Sequence, residues 1–403
     1  MNKEKKIILI FVILIVISSM FISPLQAKPQ KKIRKNLENK KEELIEQQLN
    51  RLDVSRIKEQ IEKLNREAGE YLPKLTLDDV IGLFTDGDTD FNFKAIITGL
   101  LKYLFREIVV NLELLGKLII LAVIAAVLKS FQNSFANENI SQLVNSIVYL
   151  VLVILALNSF KIALSIGEET IDNMVSVMQA LLPTLLTLLV AVGNVTSASL
   201  FQPVTFLTVN LLSVLIKNII FPLLLLAVIL SIVNNISDNF DVSGLADLIR
   251  EINISLLGSF LTIFIGVLVI QGAAGAVGDG ITIRTAKYLS GAFIPVIGGM
   301  FADALDMIIG GSLLIKNAIG ILGVVIIFLF CAFSVIKIVA LIFIYKFARA
   351  VIQPISDSKI VACLNDLSNS LILVFASVLS VAMMFFIMVT ILIGVANMSV
   401  MLR

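Results

Sequence analysis

Six charged side chains stand in a part of the chain where apolar residues otherwise dominate: Asp279, Arg284, Lys287, Asp303, Asp306 and Lys316. Their segment is punctuated by glycine, in GAAGAVGDG, IPVIGG and IIGG, and long apolar runs lie on both sides of it. A charge at the centre of a bilayer costs about 2.5–3.5 kcal/mol on insertion scales, and every backbone polar group there needs a partner. The segment is therefore expected to lie against other helices, along a water-lined cavity, or at the membrane surface. Arg284 and Lys287 are spaced to share one helix face, as are Asp303 and Asp306, so the two faces are candidates for cross-pairing. The apolar pieces Tyr288–Ile297 and Met300–Ile309 are each too short to cross a membrane. They predict a broken or interfacial segment over 272–316, either half-helices lining a path or contacting a partner, or a hairpin whose charges face headgroups.

Other chemistry is narrowed by absences. The sequence has no histidine, which removes His-based triads, HExxH zinc sites and imidazole proton relays. Cys331 and Cys363 lie in or near apolar helices and read as small buried hydrophobes. Asp86, Asp88 and Asp90 alternate as in a calcium loop, but the closing glutamate is missing. The glycines near Asp279 form no GxxxxGK[ST] phosphate cradle, and their expected use is close helix packing. No enzyme site, metal or cofactor is predicted, and nothing points to nucleic acid.

The elements that must position these residues are helices. The chain has 403 residues, 58% hydrophobic and only 15% charged, against roughly 25% charged in soluble domains. The apolar runs are continuous rather than alternating, so the predicted class is all-α, a polytopic helical membrane protein. Of 62 charged residues, 35 precede Ile108, which divides the chain into a polar front end and a membrane domain, 108–403.

Met1–Ala27 reads as a signal sequence, with Lys3, Lys5 and Lys6 before an apolar centre; it is either cleaved after Leu25-Gln26-Ala27 or kept as an anchor, since apolar residues extend to Phe21 and Ile22. Residues 28–107 form an exported charged and amphipathic helical region. Within it Ile45, Leu49, Leu52, Ile57, Ile61 and Leu64 make a narrow apolar stripe with one shift between Leu52 and Ile57. That stripe suits docking onto a partner helix or onto the protein's own domain. Beyond residue 108, seven to nine membrane segments are predicted. They include Leu143–Phe160 and Val175–Val192, joined by a polar connection containing Lys161, Glu168, Glu169 and Asp172. Ala198–Ile216 and Ile219–Val233 have only Lys217 and Asn218 between them, which predicts a kink or re-entrant turn. Further spans are expected near Ile254–Ile270, Ile319–Ile336, Val339–Val351 and Leu371–Ile393. Lys346, Arg349 and Lys359 place Lys346–Ser370 on the cytoplasmic side.

Three long motifs, DGITIRTAKYLSGAFIPVIGG, DALDMIIGGSLLIKNAIG (Asp303–Gly320) and YKFARAVIQPISDSKIVACLND (Tyr345–Asp366), occur in order, with LFREIVVNLELLGKL (Leu104–Leu118) before them. On these the chain resembles the stage III sporulation protein AE family of endospore-forming bacteria, from about Leu72 to the C-terminus. The resemblance implies a subunit of a channel or secretion apparatus connecting mother cell and forespore, seated in the mother-cell-derived membrane. It implies partners from the same operon, a cytoplasmic ATPase and ring-forming proteins in the intermembrane space, besides membrane lipid. It carries over no catalytic residues. A stand-alone secondary transporter and a membrane scaffold that lines no pore are the alternatives.

Overall fold

Apolar residues recur with so few breakers that helices, once started, run far past the length of one membrane crossing. The structure, a computed structural model, describes residues 54–77, 93–132, 138–236, 241–293, 298–355 and 358–401, all within one compact unit, Ile45–Arg403. The signal sequence and the stripe residues Ile45, Leu49 and Leu52 lie outside the described residues. The helices are α1 (Ser55–Ala68), α2 (Phe93–Val110), α3 (Leu112–Gln132), α4 (Glu138–Ala191), α5 (Val195–Leu215), α6 (Phe221–Ile236), α7 (Ser243–Phe293), α8 (Gly298–Ile352) and α9 (Ser358–Met401). No strand occurs among the described residues.

Six of the described helical stretches are long and apolar enough to cross a membrane: Lys94–Val127, Tyr149–Ala191, Val195–Asn234, Ser243–Ile281, Ile309–Ile352 and Ser358–Met398. The seven to nine segments expected from the sequence read polar interruptions as loops, and among the described residues several of those interruptions are helix. Lys161, Glu168, Glu169 and Asp172 stand in the middle of α4, a 54-residue helix about 80 Å long. A helix keeps its backbone bonds through a charged turn, so charge alone does not end it. Likewise α8 runs unbroken through Lys316, Asn317 and Lys337.

Lys217 and Asn218 make neither a loop nor a hairpin. They lie in a π-helical turn, Ile216–Ile220, that joins α5 to α6, where the Phe221 N–H donates to the Ile216 carbonyl five residues back. Pro222 follows at once and has no N–H to continue the regular ladder.

The glycine-rich stretch also departs from expectation. Helix α7 continues through Gly272, Gly275, Gly278 and Gly280 and ends at Phe293, and α8 begins at Gly298. The predicted early interruptions are absent, and Gly272, Gly275 and Gly278 instead receive neighbouring helices. A methyl group added at Gly272 would touch Ile391 and Val395, and one at Gly275 would come within 3.0 Å of the Ser197 Cα. Gly320 and Gly323 similarly admit Ile393 and Leu181.

Helices α4, α8 and α9 pack on one another around Phe160, Phe330, Tyr345 and Phe385, all fully buried. The α5–α6 pair and α7 pack against α9 and each other, while α2 and α3 lie along α8 and α4. Exposed apolar side chains such as Phe206, Leu207, Ile263 and Ile270 remain on the outer faces, as lipid contact requires.

Candidate functional site

Helix α4 ends in a tight turn that sets up the central feature. Gly193 takes φ 90°, which glycine adopts without strain, and Asn194 precedes the first turn of α5. The first amides of α5 have no partner within their own helix. Asp279, 83 residues later on α7, supplies one: the Thr196 N–H donates to its Oδ1 at 2.7 Å and the Ser197 N–H to its Oδ2 at 3.0 Å. The carboxylate is buried, with 1% of its surface exposed. Two N–H donors and the positive end of the α5 dipole compensate the charge where water does not reach. The small residues around it make this approach possible, since Gly275 and Gly278 lie directly against Ser197 and Thr196.

Lys316 forms a second brace. Also 1% exposed, it extends from α8 to α9, where its Nζ donates to the carbonyls of Ile393 at 2.8 Å and Leu392 at 3.3 Å. Glycine again permits the contact, since Gly320, one turn on, receives Ile393. Beside the two braces, Ser197 Oγ and Asn317 Oδ1 are buried without a hydrogen-bond partner in the chain, the kind of group that a buried water satisfies.

A belt of polar residues crosses the middle of α4. Lys63 of α1 donates to Asn173 Oδ1 at 2.7 Å, and Asn173 Nδ2 donates to Glu67 Oε1 at 3.4 Å. Partial burial raises the Glu67 carboxyl above the ordinary glutamate range, and the Lys63 ammonium opposes that rise. Lys217, carried by the π turn, pairs with Asp172 at 2.7 Å. Tyr103 of α2 stands edge-on to both Tyr71 and Phe333, which ties the segment after α1 to α8.

Of the six charged residues singled out from sequence, Asp279 and Lys316 are thus buried and bonded to backbone. Arg284 and Lys287 fall in the last turns of α7, and Asp303 and Asp306 in the first turns of α8. The side chains of these four lie outside the described residues, and with them the expected cross-pairing. In the stripe, Ile57, Ile61 and Leu64 are buried in the chain's own core against α4 and α8, at 1%, 4% and 1% exposure. That half of the stripe is therefore occupied within the chain and is not free for another protein. Sequence reasoning missed Thr196, Ser197 and Asn173, because a backbone amide gives no sequence signal and a lone Asn in a helix gives little. Among the described residues, no three His, Cys, Asp or Glu side chains gather as metal ligands would.

Six long apolar helices, with interior charges bonded to the backbones of neighbouring helices, define a multi-pass helical membrane protein. The family model for stage III sporulation protein AE matches residues 75–396, and the chain belongs to that family. It is 41% identical over 362 residues to the "Stage III sporulation protein AE" of Bacillus subtilis (strain 168), covering 90% of each chain. No solved structure matches it.

Proposed function

We propose that this protein is a membrane-embedded, non-enzymatic subunit of the apparatus that connects mother cell and forespore. In this reading it sits in the mother-cell-derived membrane, and any conduit forms between it and other chains. Family membership supports the sporulation role. The observation that favours a subunit over a self-contained transporter is that Asp279 and Lys316, its two described buried charges, each bond to the backbone of a neighbouring helix. A transporter's intramembrane charges bind substrate or relay protons, and must be free to change partners. Here both act as braces. Energy would come from a partner, such as the cytoplasmic ATPase expected from the resemblance, and ring-forming proteins of the same operon would meet the exported face.

Arg284, Lys287, Asp303 and Asp306, around the α7–α8 junction, are the proposed contact segment. The test is solute flux through proteoliposomes. The purified chain alone is expected to conduct nothing, and the assembled complex is expected to lose conduction when this chain is omitted. Flux through the chain alone would return the transporter reading, and a complex that conducts without it would leave only a scaffold.

A further inference from the structure

The α2–α3 junction, α4 and α8 leave between them a notch of about 340 Å³, within the roughly 300–1,000 Å³ of small-ligand sites. Its apolar lining includes Leu155 and Ile162, and its charged lining is Glu107, Glu113, Lys117 and Lys337. Tyr103 packs on Phe333, and one turn further along each helix come Glu107 and Lys337. Both line the notch, yet no ion pair joins them. Glu107 has the Tyr103 hydroxyl beside it. Lys337 senses the Glu67 carboxylate of α1 but forms no hydrogen bond or ion pair with any described residue. Glu113 and Lys117, by contrast, are bonded to each other at 2.7 Å. Length and exposure together give the depth of the notch. Its walls belong to apolar stretches of 34, 43 and 44 residues. These are about 50–65 Å of helix against ~30 Å of hydrocarbon, so part of each lies at or beyond the headgroups. The Glu113–Lys117 pair, 78% and 54% exposed, marks such a part, because open charges are costly against acyl chains.

We propose that this notch binds the headgroup of an amino-phospholipid, with the phosphate on Lys337 and the primary ammonium on Glu107. Because Glu113 and Lys117 neutralise each other, one cation and one anion are left lining a shared space. That is the complement of a neutral zwitterion. An anionic headgroup would meet the Glu107 carboxylate with no charge to offset it. A choline headgroup carries its positive charge without an N–H, so it gives the carboxylate no charge-assisted hydrogen bond. A phosphate beside a primary amine also occurs in soluble phosphoethanolamine. The apolar lining and the position at headgroup depth favour the lipid as its source.

Native mass spectrometry of the purified full chain tests the assignment, with phosphatidylethanolamine, phosphatidylcholine and phosphatidylglycerol of the same acyl chains titrated in turn. The ethanolamine lipid should bind about tenfold more tightly than the other two, the factor for one charge-assisted hydrogen bond. Lys337→Ala and Glu107→Gln should each remove that preference, and Lys337→Arg should keep it. Lys161→Ala, at an exposed lysine of α4 that does not line the notch, should change nothing. Soluble phosphoethanolamine at the lipid's concentration should not displace it; displacement would make the source soluble and overturn the lipid assignment. A photoreactive residue at Asn158, which also lines the notch, should form a lipid adduct in membranes of sporulating cells. Equal binding of the three lipids overturns the proposal. So does a preference that survives either Lys337→Ala or Glu107→Gln, or a photoadduct to another protein in place of lipid.

Discussion

Replacing Asp279 by alanine is the sharpest perturbation the structure offers. The carboxylate accepts two buried N–H bonds at 2.7 and 3.0 Å. Hydrogen bonds to a charged group contribute about 1.5–3 kcal/mol each, and a charge at a helix N-terminus adds up to about 2 kcal/mol in partly buried geometry. The contributions overlap, and alanine leaves both amides without partners, so a loss of about 3–5 kcal/mol is expected. At 1.4 kcal/mol per decade, 3 kcal/mol shifts the unfolding equilibrium by roughly a hundredfold or more. Unfolding of the purified protein by SDS titration in mixed micelles reads this directly. Ile281→Ala, two residues on and 63% exposed, is the control, expected to change stability by less than about 1 kcal/mol. Asp279→Asn should fall between the two, because one amide N–H would face its NH₂ group instead of an oxygen. If Asp279→Ala unfolds no more readily than Ile281→Ala, the carboxylate is not bracing α5 against α7, and the functional argument built on that brace fails with it.

Lys316→Ala should lower micelle stability by about 1.5–3 kcal/mol, because the charged Nζ bonds to the Ile393 and Leu392 carbonyls of α9 are lost. Unchanged stability would show that Lys316 does not brace α8 against α9. Gly275→Leu should disrupt the α5–α7 contact, since even a Cβ there meets the Ser197 backbone at 3.0 Å. Overpacking of this kind costs about 1–3 kcal/mol and is read as a lower melting temperature in detergent. Docking of α1 should weaken as pH rises through the raised Glu67 pKa. In the folded state the carboxyl holds its proton to a higher pH than in the unfolded chain, so the favourable state lies on the acid side. Because Glu67 keeps contact with water, the effect should be under about 1 kcal/mol. Glu67→Gln should abolish the slope in hydrogen exchange of the α1 amides, corrected for intrinsic rate, and an unchanged slope would assign it to another group.

The membrane class was legible in the sequence because long apolar runs with few charges have little other use, and bilayer chemistry alone says that an acid such as Asp279 needs a partner or water. Which partner it has was not legible. Thr196 and Ser197 contribute only backbone amides, and their proximity to Asp279 depends on how α5 and α7 pack. Glycine and charge read in a sequence as interruptions, whereas Gly275 and Gly320 are surfaces on which other helices rest, and Lys161 and Glu168 lie within one continuous helix, α4. The upstream stripe was readable as amphipathic from spacing alone, but spacing does not say whose surface it meets. Ile57, Ile61 and Leu64 needed coordinates to be placed in the chain's own core.

The central claim is that the buried charges hold helices together and line no path through the chain. Cysteines placed singly at Ala276 and Ile315, both buried beside the braces at 1% exposure, and probed with a hydrophilic maleimide in membranes from sporulating cells, test it most directly. Both positions should stay unlabelled until the membrane is solubilised and the protein unfolded. Labelling of either in the intact complex, blocked by a larger reagent of the same chemistry applied first, would place a water-filled route where the structure has a brace.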